Sequence, residues 1–296
     1  MFKNQSLFVL VEAEGGANNI QRIETTKDTQ DDICELFGSA VNSFLCNKEY
    51  IEFNGSYKPD QNELLMIRSF EIDKEIIEAV KNPVSVEAFS PNSYEQPVIR
   101  ALFMGCCNKR KNKASYVIGF QKFRKEQYIS RRGLNLFHDS NTFTQDKRFG
   151  ICISDTVDCV LADNELKFNS FYFARQIFDL SEYYREATDS DVEAFMAHSK
   201  IDVENTAVFK ANADSWVRRK VALISDSDIF TKFSPKQIKE KAKDFGLNVN
   251  IKKNKLSLPS DKKELKNILK FLDEEIYKGI FTEQILQTNS KRKAVL

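Results

Sequence analysis

In the stretch ISDTVDCVLADNELK, Asp155 and Asp158 precede Glu165-Leu166-Lys167. Magnesium nucleases use this kind of spacing: two carboxylates hold the metal and the lysine positions the attacking water. The pattern carries little weight here, because an acid two residues before a lysine recurs at Asp261/Lys263 and Glu264/Lys266 from composition alone. Asp163-Asn164 also reads as a tight turn, which accounts for the polar residues without a metal. His138 lies beside Asp139 in FHDSN and reads as an ordinary hydrogen-bonding loop residue. The six cysteines form no CxxC pair, and His138 and His198 are the only histidines, so a zinc site is not expected and the thiols read as reduced and buried. GxGxxG, Walker A, GxSxG and HExxH motifs are all missing from the sequence. No catalytic residue, metal or cofactor is therefore assigned.

The charged residues say more. Residues 105–132, GCCNKRKNKASYVIGFQKFRKEQYISRR, hold nine Lys and Arg against one acid, Glu126, in a chain whose net charge is only +1. The balance is −8 over residues 1–100, +8 over 101–132, −7 over 133–230 and +8 over 231–296. Alternation on this scale points to contact with a polyanion. Lys109, Arg110, Lys111 and Lys113 fall at an expected hairpin tip, and Lys122, Arg124, Lys125, Arg131 and Arg132 follow along the next strand. The nine are assigned as DNA-binding residues, with Tyr116, Phe123 and Tyr128 interleaved. A duplex offers a phosphate charge about every 1.7 Å along its axis, so such a strip would neutralise several. Two other readings stand beside it: the nuclease just described, and a scaffold whose charge blocks drive self-assembly. The lysines after Ser234 read as the outer face of an amphipathic helix.

The elements that must position these residues follow from periodicity and turn chemistry. Ser6–Glu12 and Asn19–Glu24 read as strands joined at Gly15-Gly16, followed by a helix capped at Thr29 and Asp32. Strands are expected at 50–53, 64–70 and 84–89, with a helix over 73–81. The basic hairpin pairs 98–107 with 114–125 around a loop at 108–113. Residues 133–150 read as a connection with a buried apolar stripe, and 151–153, 159–161 and 166–168 as a strand meander. Helices are expected over 171–186, 190–199, 213–225, from Ser234-Pro235 to Gly246, and over 260–278 with Gly279 closing it. A small hairpin pairs 247–251 with 255–258. The fold class is α+β: a mixed N-terminal domain, 1–132, ending in the basic hairpin, then a domain over 133–296 of strand meander, helices and a final hairpin–helix. At 296 residues both can bury a core. No apolar run approaches the roughly 20 residues of a membrane-spanning helix, and the opening MFKNQSLFVLVEAEGG, with Glu12 and Glu14 close behind its apolar patch, does not read as a signal peptide.

Over roughly the C-terminal 165 residues the sequence resembles the KwaB family of the Kiwa anti-phage systems. The resemblance rests on GLNLFHDSNTFTQ, DTVDCVLADNELKFN, FYFARQIFDL, FGLNVNIKKNKLSLPSDKKELKNILKFLDEEIYKG and the terminal NSKRK, in that order. It implies a cytoplasmic bacterial defence protein recruited to the inner membrane by a small multi-pass partner of the KwaA type. It also implies binding to phage DNA, interference with replication or late expression, and a homo-oligomeric assembly. The family offers no catalytic motif to carry over.

Overall fold

Leu7–Leu10, Leu64–Ile67 and Val160–Leu161 are apolar at consecutive positions and buried throughout. A strand with one wet face alternates, so these runs require a sheet covered on both faces. The computed structural model describes residues 2–12, 18–55, 57–90, 98–110, 113–129, 134–146, 148–288 and 290–291. Two compact units result: Met1–Phe53 with Pro59–Leu180, and Asn54–Lys58 with Ser181–Leu296.

The first unit runs β1 (Leu7–Glu12), β2 (Asn18–Ile23), α1 (Lys27–Leu45), β3 (Glu49–Glu52), β4 (Glu63–Ile67), α2 (Lys74–Lys81), β5 (Ile99–Arg110) and β6 (Lys113–Lys122). It continues with β7 (Tyr128–Ile129), β8 (Asn135–Asp139), β9 (Thr142–Asp146), β10 (Gly150–Ile151), β11 (Cys159–Ala162), β12 (Glu165–Phe168) and α3 (Phe171–Ile177). Eight strands form one sheet in the order β2-β1-β5-β6-β11-β12-β4-β3. Every pairing in it is antiparallel except β3 with β4. Helix α1 covers one face, packing Phe37 and Val41 against Val9, Leu102, Met104 and Val160. Gly119 lets it approach: a Cβ there would lie 2.6 Å from the Val41 Cγ2. The other face stacks Phe8 on Phe103 and Phe103 on Phe120, with Phe178 edge-on to Phe120 at 4.8 Å.

The second unit runs α4 (Asp189–Met196), β13 (Ile201–Val203), α5 (Thr206–Asn212), α6 (Ser215–Asp226), α7 (Ile229–Lys232), α8 (Pro235–Lys243), β14 (Asn250–Lys252) and β15 (Lys255–Leu258). It ends with α9 (Lys262–Leu272), β16 (Ile276–Lys278) and β17 (Ile285–Gln287). Its own core gathers Phe195, Phe209, Val217, Val221, Ile238, Leu256, Leu265 and Leu269 around the small sheet β13-β15-β14. Inside it, the ammonium of the buried Lys220 meets Asp273 and Glu275, both at 2.5 Å, and Lys291 meets Asp273 at 2.8 Å.

The architecture is α+β, as the sequence indicates. The division falls at Leu180, not at 132, because β11 and β12 complete the sheet that β5 and β6 begin. Helix α1 is capped by Thr26, whose side chain accepts from the Thr29 N–H, not by Thr29 itself. Residues 84–89 form a single 3-10 turn at Pro83–Ser85 and one bridge from Ala88 to Arg22, not a strand. The expected buried stripe after residue 133 is instead the hairpin β8–β9, whose Leu134, Leu136, Phe137 and Phe143 are exposed. The 171–186 helix stops at Ile177, while β13 and α5 fall where no element is expected. The last helix stops at Leu272 and Ile276 belongs to β16. Cys34, Cys106 and Cys159 are buried, but Cys46 and Cys152 are exposed, and all six thiols are free. Burial holds the Cys159 thiol well above its ordinary pKa, so it is inert filler.

Candidate nucleic-acid interface

Among the described residues, strands β5 and β6 form the longest hairpin, ten rungs from Ala101↔Lys122 to Arg110↔Lys113. The sequence makes it so by alternation: Phe103, Ile118 and Phe120 fill one side of the sheet, Leu102, Met104 and Cys106 the other. Its neighbours are shorter. β1 pairs with β5 only as far as Phe103, and β11 pairs with β6 only over 117–120. Asp163 and Asn164, both with positive φ, turn β11 into β12; their side chains bond to the Ser115 and Tyr116 hydroxyls. Beyond Ser115 the described hairpin is two strands alone. Lys109, Arg110 and Lys113 occupy its last two rungs, at Lys109↔Ala114 and Arg110↔Lys113. Lys111 lies outside the described residues, between the rung partners Arg110 and Lys113.

The other basic residues of the expected strip are not beside these. Lys122 is nine residues from Lys113 along β6, about 30 Å at the rise of a strand. Its backbone N–H donates to the Asp158 Oδ2 at 2.7 Å and its ammonium to the Arg100 carbonyl at 3.2 Å. Burial, and then the positive charges of Arg100 and Arg124, push its pKa below the usual lysine range. Arg124 donates to the Asp158 Oδ1 at 2.8 Å and lies over the Phe173 ring, 4.8 Å from its centre. Asp158, 7% exposed, therefore holds both. Gln121 and Gln127 add a buried network, with Gln121 donating to the Ser154 and Thr156 carbonyls and Gln127 to that of Cys152. Lys125 is exposed in the turn after β6, while Arg131 and Arg132 lie outside the described residues. The strip is thus divided into a tip group and a base group, and two members of the base group serve the fold. Nothing local signals the Asp158 cluster, because its members become neighbours only when β6 pairs with β11.

The residues of the nuclease pattern do not converge. Asp158 precedes the first rung of the β11–β12 hairpin and Glu165 forms its last, opposite Ala162, about 13 Å apart along the strands. Asp155 lines a surface cleft with Lys48, Asp60 and Glu63, and Lys167 pairs with Glu165 at 2.9 Å beneath the Tyr50 ring. His138 stands exposed on β8 with its ring 5.0 Å from that of Phe143. Among the described residues no group of His, Cys, Asp and Glu could hold a metal ion, and no helix is long and apolar enough to cross a membrane.

An eight-stranded sheet with a projecting basic hairpin, joined to a helix-rich second unit, is the frame in which comparison with known proteins falls. Residues 105–282 match the family described as Kiwa protein KwaB-like. That is more than half of the chain, and the chain belongs to this family of anti-phage defence proteins. The match starts inside β5 and takes in the hairpin tip, earlier than the resemblance read from the sequence, and it ends before the NSKRK segment. No curated relative and no solved structure matches the chain.

Proposed function

We propose that this protein binds duplex DNA through its phosphate backbone, largely without regard to sequence, and so hinders phage replication or late expression. Recruitment to the inner membrane through a multi-pass partner of the KwaA type belongs to the same reading. The observation that carries it is the β5–β6 tip: a hairpin outrunning both neighbouring strands, with Lys109, Arg110 and Lys113 on its last two rungs and Lys111 between them in sequence. Such a projection can reach a groove or ride along a backbone without moving the sheet behind it. Contacts of this kind release condensed counterions, so affinity falls steeply with salt. They also orient a protein on the duplex without reading bases.

The test is fluorescence anisotropy with a labelled duplex from 50 to 300 mM salt, with magnesium present and the DNA checked for length afterwards. Replacing Lys109, Arg110, Lys111 and Lys113 with Ala should flatten the plot of log K against log salt by about 0.9 per lost phosphate contact, up to roughly 3 to 4. Retained slope and affinity would remove the tip from the interface. Shortened DNA would bring back the nuclease reading, with Glu165→Gln as its control.

A further inference from the structure

We propose that the C-terminal unit carries a second backbone site for duplex DNA, built from the lysine flank of α8 and the β14–β15 turn; it rests on the DNA-binding reading above. The observation is a set of six cations that close no ion pair. Several other lysines of the unit pair with acids: Lys262 and Lys266 share Asp214 at 3.0 and 3.4 Å, Lys232 meets Asp228, Lys210 meets Glu193 and Lys278 meets Glu283, while Lys200 bonds backbone carbonyls and Lys270 the Gln287 side chain. Among the described residues, Lys236, Lys239, Lys243, Lys252, Lys253 and Lys255 have no such partner. The first three recur at helical spacing along one flank of α8, between the buried stripe of Pro235, Ile238 and Ala242 and the outward Glu240. Glu240 and Asp244 are the acids near them, both exposed and neither closing an ion pair.

The turn makes the stronger case. Lys252 stands directly opposite Lys255 on the last rung, and Lys253 is the first turn residue, held at φ 49° with Asn254 at φ 61°. Side chains facing each other on a rung lie about 5 Å apart at Cβ, and like charges in that position oppose the pairing. A fold that needed only a turn here would place an acid or an uncharged residue opposite Lys255. Three ammonium groups crowded around two turn residues are instead what a row of phosphates would neutralise. Helix α8 packs against both strands, so its lysines and those of the turn belong to one helix–hairpin substructure.

Duplex is favoured over single strand because the nearby rings are occupied. Phe245 packs on Phe271 at 5.6 Å and Phe233 lies under the Lys241 ammonium. Single-strand sites stack bases on open aromatic faces, and each of these rings already has a partner.

The experiment uses the full chain, a labelled 30-base-pair duplex and the matching single strand. Lys252→Ala/Lys253→Ala/Lys255→Ala should flatten the salt dependence of duplex binding by about 2 to 3, at 0.9 per contact. Lys252→Gln/Lys253→Gly keeps a residue suited to positive φ at 253 and leaves Lys255 in place; it should flatten the dependence by about 2, so the result does not hang on the turn surviving three changes. Wild-type affinity and slope in both variants would overturn this site while the hairpin-tip reading stands. Tighter binding of the single strand than of the duplex would overturn the duplex assignment. If the unaltered protein binds no DNA at low salt, the functional reading itself fails, and this inference fails with it.

Discussion

Asp158 decides what two of the basic residues do. It is nearly buried and holds the Lys122 N–H and the Arg124 guanidinium, while Phe173 covers the guanidinium from the side. A carboxylate so placed needs its donors, and an arginine that stacks and pairs at once is fixed by both contacts. Arg124→Ala should therefore cost stability, on the order of 1–3 kcal/mol, because the Asp158 carboxylate loses a charged partner. It should leave duplex affinity and its salt dependence at the parent values. Urea unfolding alongside anisotropy would show the split; a drop in affinity with unchanged stability would return Arg124 to the interface. The tip residues are expected to behave the opposite way, losing affinity and keeping stability. From the sequence the two groups are indistinguishable, since both are simply basic residues in a strand-like run. Only the pairing of β6 with β11 separates them.

Among the elements, α6 and α9 are joined by one side chain. Asp214 caps α6, accepting from the Val217 N–H at 3.0 Å, and pairs with Lys262 and Lys266 on α9. Burial alone would raise its pKa, but the Val217 N–H and the two ammonium groups hold it down to about 2. An unfolded aspartate takes up its proton near 3.8, so the folded chain keeps this carboxylate ionised where the unfolded chain does not. Its contribution is whole above about pH 4 and is lost as the pH falls toward 2. Asp214→Asn should lower the urea midpoint above pH 4 and narrow the gap to the parent protein between pH 4 and pH 2. A gap that stays constant with pH would mean that neither the Val217 N–H nor the lysines favour the ionised carboxylate in the folded chain. Much of this unit is legible locally: Ser234-Pro235 opens α8, with Gln237 completing the capping box, and Leu265, Ile268, Leu269 and Leu272 form the buried stripe of α9. Where α9 ends is not legible. Ile276 continues the period, but Asp273 and Glu275 turn inward to Lys220, 53 and 55 residues earlier, and Glu274 takes φ 54° between them. A contact across that separation ends the helix, and no local pattern announces it.

At the scale of the whole molecule, the alternation of charge along the chain acquires a structural counterpart. The basic block of 101–132 contributes the hairpin of the first unit, and the basic block of 231–296 supplies α8, β14–β15 and α9 of the second. The sequence shows the blocks but not the division, because β12 pairs with β4 across about a hundred residues and so draws the meander into the first sheet. Each unit has a core of its own, with Phe37, Val41, Leu102 and Met104 in one and Val221, Leu256, Leu265 and Leu269 in the other. Separate cores allow separate unfolding. Leu269, fully buried, should be the sharper probe: Leu269→Ala leaves a cavity and should cost about 2–5 kcal/mol in the second unit. Hydrogen exchange read by mass spectrometry should then show faster exchange in α6, α8 and α9 and unchanged protection in β1, β5 and β6. Under mild destabilisation the lysine turn should lose its share of the salt dependence while the hairpin tip retains its own. Equal loss of protection in both sets of peptides would mean that the two cores fold as one, and the two sets of phosphate contacts would then be lost together.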